Sequence, residues 1–224
     1  MIQQIFLYIL IFIISAYLLY KIIEKHLISA YYYQKVDHFR KFPIQPGDIV
    51  FLGDSITDFG PWEEIFPEYP VKNRGISADT VKGVYKRIDQ IIEGKPSIVF
   101  LLIGTNDLGF WLSHNDRFII KYYRMILQEF REKTPLTKVY IQSIFPRHKS
   151  FSKRIIRLNK NLEELASSYG YEFIDLFSHL ANEQGALKDQ LSNDHLHLMA
   201  EGYQIWTDVI RPFFQINNER KLVI

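Results

Sequence analysis

The sequence predicts an α/β chain: a three-layer, doubly wound domain on a five-stranded parallel sheet, preceded by an N-terminal transmembrane helix. Three observations predict it. Short apolar runs alternate with segments of helical spacing, which is the order of a parallel sheet covered on both faces. The 224 residues, 47% hydrophobic and 23% charged, suffice for one sizeable domain rather than two. The first 20 residues carry no charged side chain.

The elements follow in order. Ile5 to Tyr20 is apolar apart from Ser15 and the tyrosine hydroxyls, and Ile22 and Ile23 extend the run to about the 20 residues that span a bilayer as a helix. No basic residue precedes the run and no A-x-A-like cleavage site follows it. Residues 1–23 therefore read as an uncleaved, single-pass membrane anchor. A signal peptide and a buried or partner-binding helix are the alternatives. Lys21 and Lys25 follow the run, so the positive-inside rule favours a domain on the cytoplasmic face, although Glu24 offsets them and an exported domain stays open. Residues 24–46 read as a stalk or linker stopped by Pro43 and Pro46, residues 47–217 as the domain, and residues 218–224 as a tail.

Within the domain, "DIVFLG" (48–53), "VKNRG" (71–75), "SIVFLLIG" (97–104), "KVYIQSIF" (138–145) and "YEFIDLF" (171–177) predict the five strands. Val81, Val84, Tyr85, Ile88, Ile91 and Ile92 are spaced as one helix over 80–94. Further helices are expected over 116–134, over 152–170 with Gly170 as the C-terminal cap, and over 199–214.

Composition excludes several functions. The net charge is +2 without a long basic run, which argues against nucleic acid as a partner. There is no cysteine, so disulfides, thiolate metal sites and cysteine nucleophiles are ruled out.

In open α/β sheets, sites form beyond the carboxyl ends of the strands. "GDSIT", "NRGIS", "GTND" and "FPRH" follow the first four strands, and "NDHLHL" precedes the last helix. Ser55 follows a strand, a glycine and Asp54 on a tight turn, which suits a nucleophile that shares a base within hydrogen-bond reach. Capping of the next helix by Asp54 or Ser55 is the structural alternative. Acyl transfer needs donors for a developing oxyanion. Gly75 offers a backbone N–H and Asn106 a side-chain amide, although both residue types also serve plain turns. Asp194 and His197 are spaced to meet on one turn, whereas adjacent Asp194 and His195 diverge. A metal clip of Asp194, His195 and His197, or a simple helix start, are the competing readings of that stretch.

Taken together, Gly-Asp-Ser, then Gly, then Gly-x-Asn, then Asp-x-x-His resembles the SGNH hydrolases, the GDSL-type esterases and lipases. Ser55, Gly75, Asn106 and His197 occupy the name-giving positions, and Ile56 replaces the leucine of the GDSL motif. "NRGISADT", "LLIGTND", "IFPR" and "HLHLMAEGYQIW" are most similar to the branch of the platelet-activating-factor acetylhydrolase α-subunits. The resemblance covers about residues 47 to 213. It implies the flavodoxin-like fold of that family and a metal-free, cofactor-free serine esterase. Ser55, Asp194 and His197 would be the catalytic residues. Ser55 N–H, Gly75 N–H and the Asn106 amide would form the oxyanion hole. It also implies short acyl groups, acetyl above all, on a small sugar or lipid ester. Asp54, Phe110, Trp111 and Arg147 are the substrate-binding candidates, with Phe59 and Trp62 as further aromatic walls or ordinary packing. A lysophospholipase or thioesterase acting on membrane-derived acyl groups is the alternative, and a non-catalytic binding module on the same fold a more distant one. The sequence leaves the oligomeric state open.

Overall fold

The computed structural model describes residues 2–109 and 113–214, and in the first helix the side chains of residues 4–20, 22 and 30 onward. The first helix, α1, runs Ile2–Lys41. The strands are β1 (Ile49–Gly53), β2 (Val71–Gly75), β3 (Ile98–Leu102), β4 (Lys138–Gln142) and β5 (Glu172–Ile174). Between β1 and β2 lie two short helices, α2 (Ser55–Asp58) and α3 (Trp62–Ile65). Then come α4 (Val81–Lys86), α5 (Asp89–Ile92), α6 (Asp116–Lys133), α7 (Ser152–Tyr169), α8 (Phe177–Leu180) and α9 (Ala200–Ile210).

The five strands form one parallel sheet in the order β2-β1-β3-β4-β5, as the alternating pattern predicts. Period-two alternation splits each strand between two cores. Val50, Leu52, Val99, Leu101, Val139 and Ile141 face the layer of α4 to α7. Ile49, Phe51, Ile98, Phe100 and Tyr140 face Trp62, Trp206 and Phe214. The second layer is aromatic: Phe51 stacks on Trp62 with centroids 3.8 Å apart. Trp62 has no exposed surface and so belongs to this core, not to a substrate pocket.

The chain leaves β1 toward β2 and then crosses back beyond β1 to β3. This reversal opens a crevice at the carboxyl ends of β1 and β3. Registers place Gly53 level with Gly75 and with Leu102, so the loops after β1, β2 and β3 emerge at one height.

Two elements depart from the sequence pattern. The single helix expected over 80–94 breaks at Arg87, which leaves helical geometry (φ −118°, ψ 15°). Its buried guanidinium turns under the strand ends, bonding Asp79 Oδ2 at 2.8 Å and the carbonyls of Arg74 and Gly53. The last strand stops at Ile174, because Ser143 Oγ takes the N–H groups of Leu176 and Phe177 and draws the chain off the sheet. Gly170 caps α7 in the left-handed conformation (φ 75°), as the sequence predicts.

The largest correction concerns the N-terminus. Among the described residues, no helix is long and apolar enough to cross a membrane. The described apolar stretch of α1 lies at residues 4–20. It contains a glutamine, a serine and three tyrosines, which lower its hydropathy. The transmembrane helix, the single-pass membrane location and the membrane as a partner are therefore all withdrawn. Instead, α1 continues through the expected stalk, and its last turns lie on the domain. Phe39 is buried beneath the Arg74 guanidinium, 4.6 Å away, which in turn donates to the Phe42 carbonyl.

Candidate active site

Ser55 opens α2 directly after β1. Asp54 Oδ1 accepts from Ile56 N–H at 3.1 Å, which caps the short helix and presents Ser55 at its first position. Ser55 Oγ lies 2.9 Å from His197 Nε2 across 142 residues of sequence. His197 Nδ1 lies 2.6 Å from Asp194 Oδ2. The other Asp194 oxygen accepts the N–H groups of His197 (2.8 Å) and Leu196 (2.9 Å) and the Ser192 hydroxyl. A tight turn of this kind brings residues three apart onto one side. Burial alone would raise the Asp194 carboxyl, but these hydrogen bonds outweigh it and hold it at about 2. It is thus an anion at neutral pH, hydrogen-bonded to His197.

His195 points elsewhere. Its backbone is left-handed (φ 58°), its side chain is exposed, and its ring lies 3.9 Å from Asp189 and 6.2 Å from the His148 ring. The two histidines of "DHLHL" therefore diverge. Among the described residues, no three His, Asp or Glu side chains converge as a metal site would require.

Asn106 stands one turn beyond β3. Its Nδ2 donates one hydrogen to the Asp79 carbonyl at 2.8 Å, which fixes the amide plane. Asp79 is itself anchored by buried Arg87. Gly75 is differently employed. Its N–H is donated to Asn73 Oδ1 at 2.9 Å, and a Cβ there would collide with the backbone nitrogen of Asp58. Its lack of a side chain serves close packing of β2 on α2, and its N–H is not turned to the site. Three residues on, exposed Ala78 adopts the left-handed conformation (φ 64°). Neither its N–H nor that of Ser55 has an acceptor among the described residues. Ala78 adjoins Asp79, whose carbonyl holds Asn106. The sequence carried no signal for it, since alanine rarely marks a left-handed position.

The remaining candidates separate. Arg147 is half-buried after β4, donates to the Thr105 carbonyl at 3.0 Å and stacks on Phe151. Phe59 is exposed, with its ring 5.1 Å from that of His197. Phe110 and Trp111 fall outside the described residues. Asp54 is 1% exposed. Its carboxyl is pushed up to about 7 by burial, opposed by the Ile56 N–H and reinforced by Asp79 and Asp107, with Arg147 pulling back.

That shift gives Asp54 a signature in stability. Its folded value lies above the ordinary 3.8, so the favourable contribution is complete below about pH 4 and is lost as pH rises through 7. Asp54→Asn keeps an oxygen for Ile56 N–H and removes the charge. Its stability relative to wild type should rise by roughly 3 kcal/mol from pH 5 to pH 8.5, read from denaturant unfolding. A difference independent of pH would show that Asp54 is already ionised at pH 5 in the folded protein.

Comparison with known proteins now decides the family. The sequence model of the GDSL-like lipase/acylhydrolase family matches residues 51–205. The chain belongs to that family. It is a carboxylic ester hydrolase. Solved structures of GDSL-like relatives share its fold. A Streptococcus pneumoniae protein provisionally described as a platelet activating factor is 26% identical, with a TM-score of 0.77 over 84% of this chain and 95% of its own. A GDSL-like lipase from Bacteroides thetaiotaomicron is 23% identical, with a TM-score of 0.73 over 83% and 98%. A variant of a Geobacillus acetyl-xylooligosaccharide esterase is 20% identical, with a TM-score of 0.61 over 75% and 94%. No curated protein matches the chain. In this GDSL-like hydrolase, the matched region opens inside β1 and closes inside α9, so it spans every loop described above.

Proposed function

We propose that this hydrolase removes short acyl groups, acetyl above all, from a sugar or lipid ester through an acyl-serine. The observation that carries the mechanism is the unbroken relay from Ser55 Oγ through His197 to Asp194, at 2.9 and 2.6 Å. Ser55 Oγ attacks the ester carbonyl carbon as His197 Nε2 takes its proton. The carbonyl π pair moves onto oxygen. Collapse of the tetrahedral intermediate breaks the bond to the alcohol, which leaves with the proton from His197. Water then repeats the sequence on the acyl-serine and releases the acid. Asp194 holds Nδ1–H and stabilises the imidazolium.

In this reading the oxyanion is bound by Ser55 N–H, Ala78 N–H and the second hydrogen of Asn106 Nδ2. Ala78 replaces Gly75, whose N–H is committed to Asn73. Phe59 beside His197 forms one wall of the acyl site, and Arg147 lies where the alcohol portion would meet it. The acetyl preference is supported by the resemblance to the acetylhydrolase α-subunits and is in keeping with a structural neighbour that acts on acetyl-xylooligosaccharides. The lysophospholipase and thioesterase alternative rests on the same triad, which accepts those acyl donors too; it loses only the membrane anchor that favoured a lipid substrate.

A p-nitrophenyl ester series tests the acyl preference. Acetyl and propionyl esters should have the highest kcat/KM, with octanoyl at least about tenfold lower, since each misfit methylene is worth about 1–3 kcal/mol in a closed pocket. Faster turnover of octanoyl than acetyl ester would replace the small site with a lipase-like groove.

A further inference from the structure

Asp58 joins helix α1 to the loop that carries Ala78. It ends α2, three residues after Ser55, and its side chain is 4% exposed. Its backbone belongs to the nucleophile turn: the N–H donates to the Asp54 carbonyl at 2.8 Å, and the carbonyl accepts from Asn73 Nδ2 at 3.0 Å. Its carboxylate reaches outward in two directions. Oδ2 accepts the N–H (3.1 Å) and hydroxyl (2.9 Å) of Ser77, which directly precedes Ala78. From α1, the Tyr31 hydroxyl donates to the same oxygen at 2.6 Å, and Lys35 Nζ donates to Oδ1 at 2.7 Å.

Physical chemistry makes this arrangement consequential. A buried carboxylate needs a counter-charge, and among the described residues Lys35 is the cation in salt-bridge contact with Asp58. The Ala78 N–H belongs to the Ser77–Ala78 peptide, the next peptide along the chain from the Ser77 groups that Asp58 holds. Ala78 is left-handed, a strained state that an alanine keeps only where its surroundings impose it. The surroundings here include α1, which lies before the residues that the family shares. The docking is broad: Gln90 Nε2 donates to the Val36 carbonyl, and the Tyr32 hydroxyl to that of Gly83, on the helix that follows the Ala78 loop.

We propose that Lys35 and Tyr31 are positioning residues of the ester hydrolase. By neutralising and holding Asp58, they let helix α1 set the Ser77–Ala78 peptide at the oxyanion position, so that full catalytic rate requires α1 docked. The inference rests on the oxyanion reading of Ala78 given above.

The test uses the full chain with p-nitrophenyl acetate, at a temperature where each variant is shown folded by its melting curve. Lys35→Met should lower kcat by about tenfold, the scale of one charge-assisted hydrogen bond, with KM within about twofold of wild type. Lys35→Arg, which keeps the charge, should recover most of that loss. Tyr31→Phe retains the ion pair, so it remains informative if Lys35→Met does not fold; it should lower kcat about threefold. A folded Tyr31→Phe/Lys35→Met chain with wild-type kcat overturns the proposal. So does a loss confined to KM, or one that Lys35→Arg fails to reduce. Asn106→Ala, measured alongside, separates the two readings. If Asn106→Ala keeps full kcat, the oxyanion reading fails. If it loses kcat while the α1 variants do not, only the role of α1 fails.

Discussion

His197→Ala lowers kcat for p-nitrophenyl acetate by about 10⁴- to 10⁶-fold, the scale seen when one member of a catalytic unit is removed. Ser55 lacks a base without it: the ring nitrogen 2.9 Å from Oγ is the proton acceptor in reach, and the hydroxyl alone is a weak nucleophile. Ser55→Ala should be equally inactive and should lose labelling by an organophosphonate ester probe. Asp194→Ala should lose somewhat less, because the imidazole remains as a base but loses the anion that orients it and fixes its tautomer. His195→Gln is the internal control. Its ring faces Asp189 and His148, so most activity should survive. If His195→Gln proved as inactive as His197→Ala and a chelator also abolished activity, the pair would be acting on a metal and the relay would be wrong.

Asn106→Ala should lower kcat by about 10²- to 10³-fold with little change in KM, as expected for loss of one oxyanion donor. One amide hydrogen is already spent on the Asp79 carbonyl at 2.8 Å, and that bond holds the second in place. The donor is therefore preorganised, and its benefit appears when negative charge develops on the substrate oxygen. Because Arg87 anchors Asp79 from beneath, the geometry is fixed by the core and not by the substrate. An effect confined to KM would make Asn106 a ground-state binding residue instead.

Much of this protein was legible along the chain because its signals are local. The continuous apolar runs "IVFLG" and "IVFLL", the helical spacing over 116–134, and Gly170 after α7 each arise within a few residues, so the parallel sheet could be read in order. The pairing of Asp194 with His197 was readable for the same reason, since a spacing of three fixes which side chains share a side of one turn. Other features were set by three-dimensional packing that local spacing does not reveal. Gly75 looked like an oxyanion donor until Asn73 took its N–H, and Ala78 carried no mark of its left-handed backbone. Trp62 looked available to a pocket until Phe51 stacked on it. The apolar start suggested an anchor, yet no described helix is long and apolar enough to span a bilayer, and the far end of α1 grips Asp58, three residues after Ser55. The sequence by itself determined the strand and helix order, the tight turn at Ser55 and the Asp194–His197 pair, because spacing and burial pattern act over a few residues. Only the tertiary structure decided that Asn73 takes the Gly75 N–H while those of Ser55 and Ala78 have no acceptor among the described residues, and that α1 reaches Asp58, because a hydrogen bond goes to the partner that the fold places within reach; Ser55 and His197 meet in this way across 142 residues of chain.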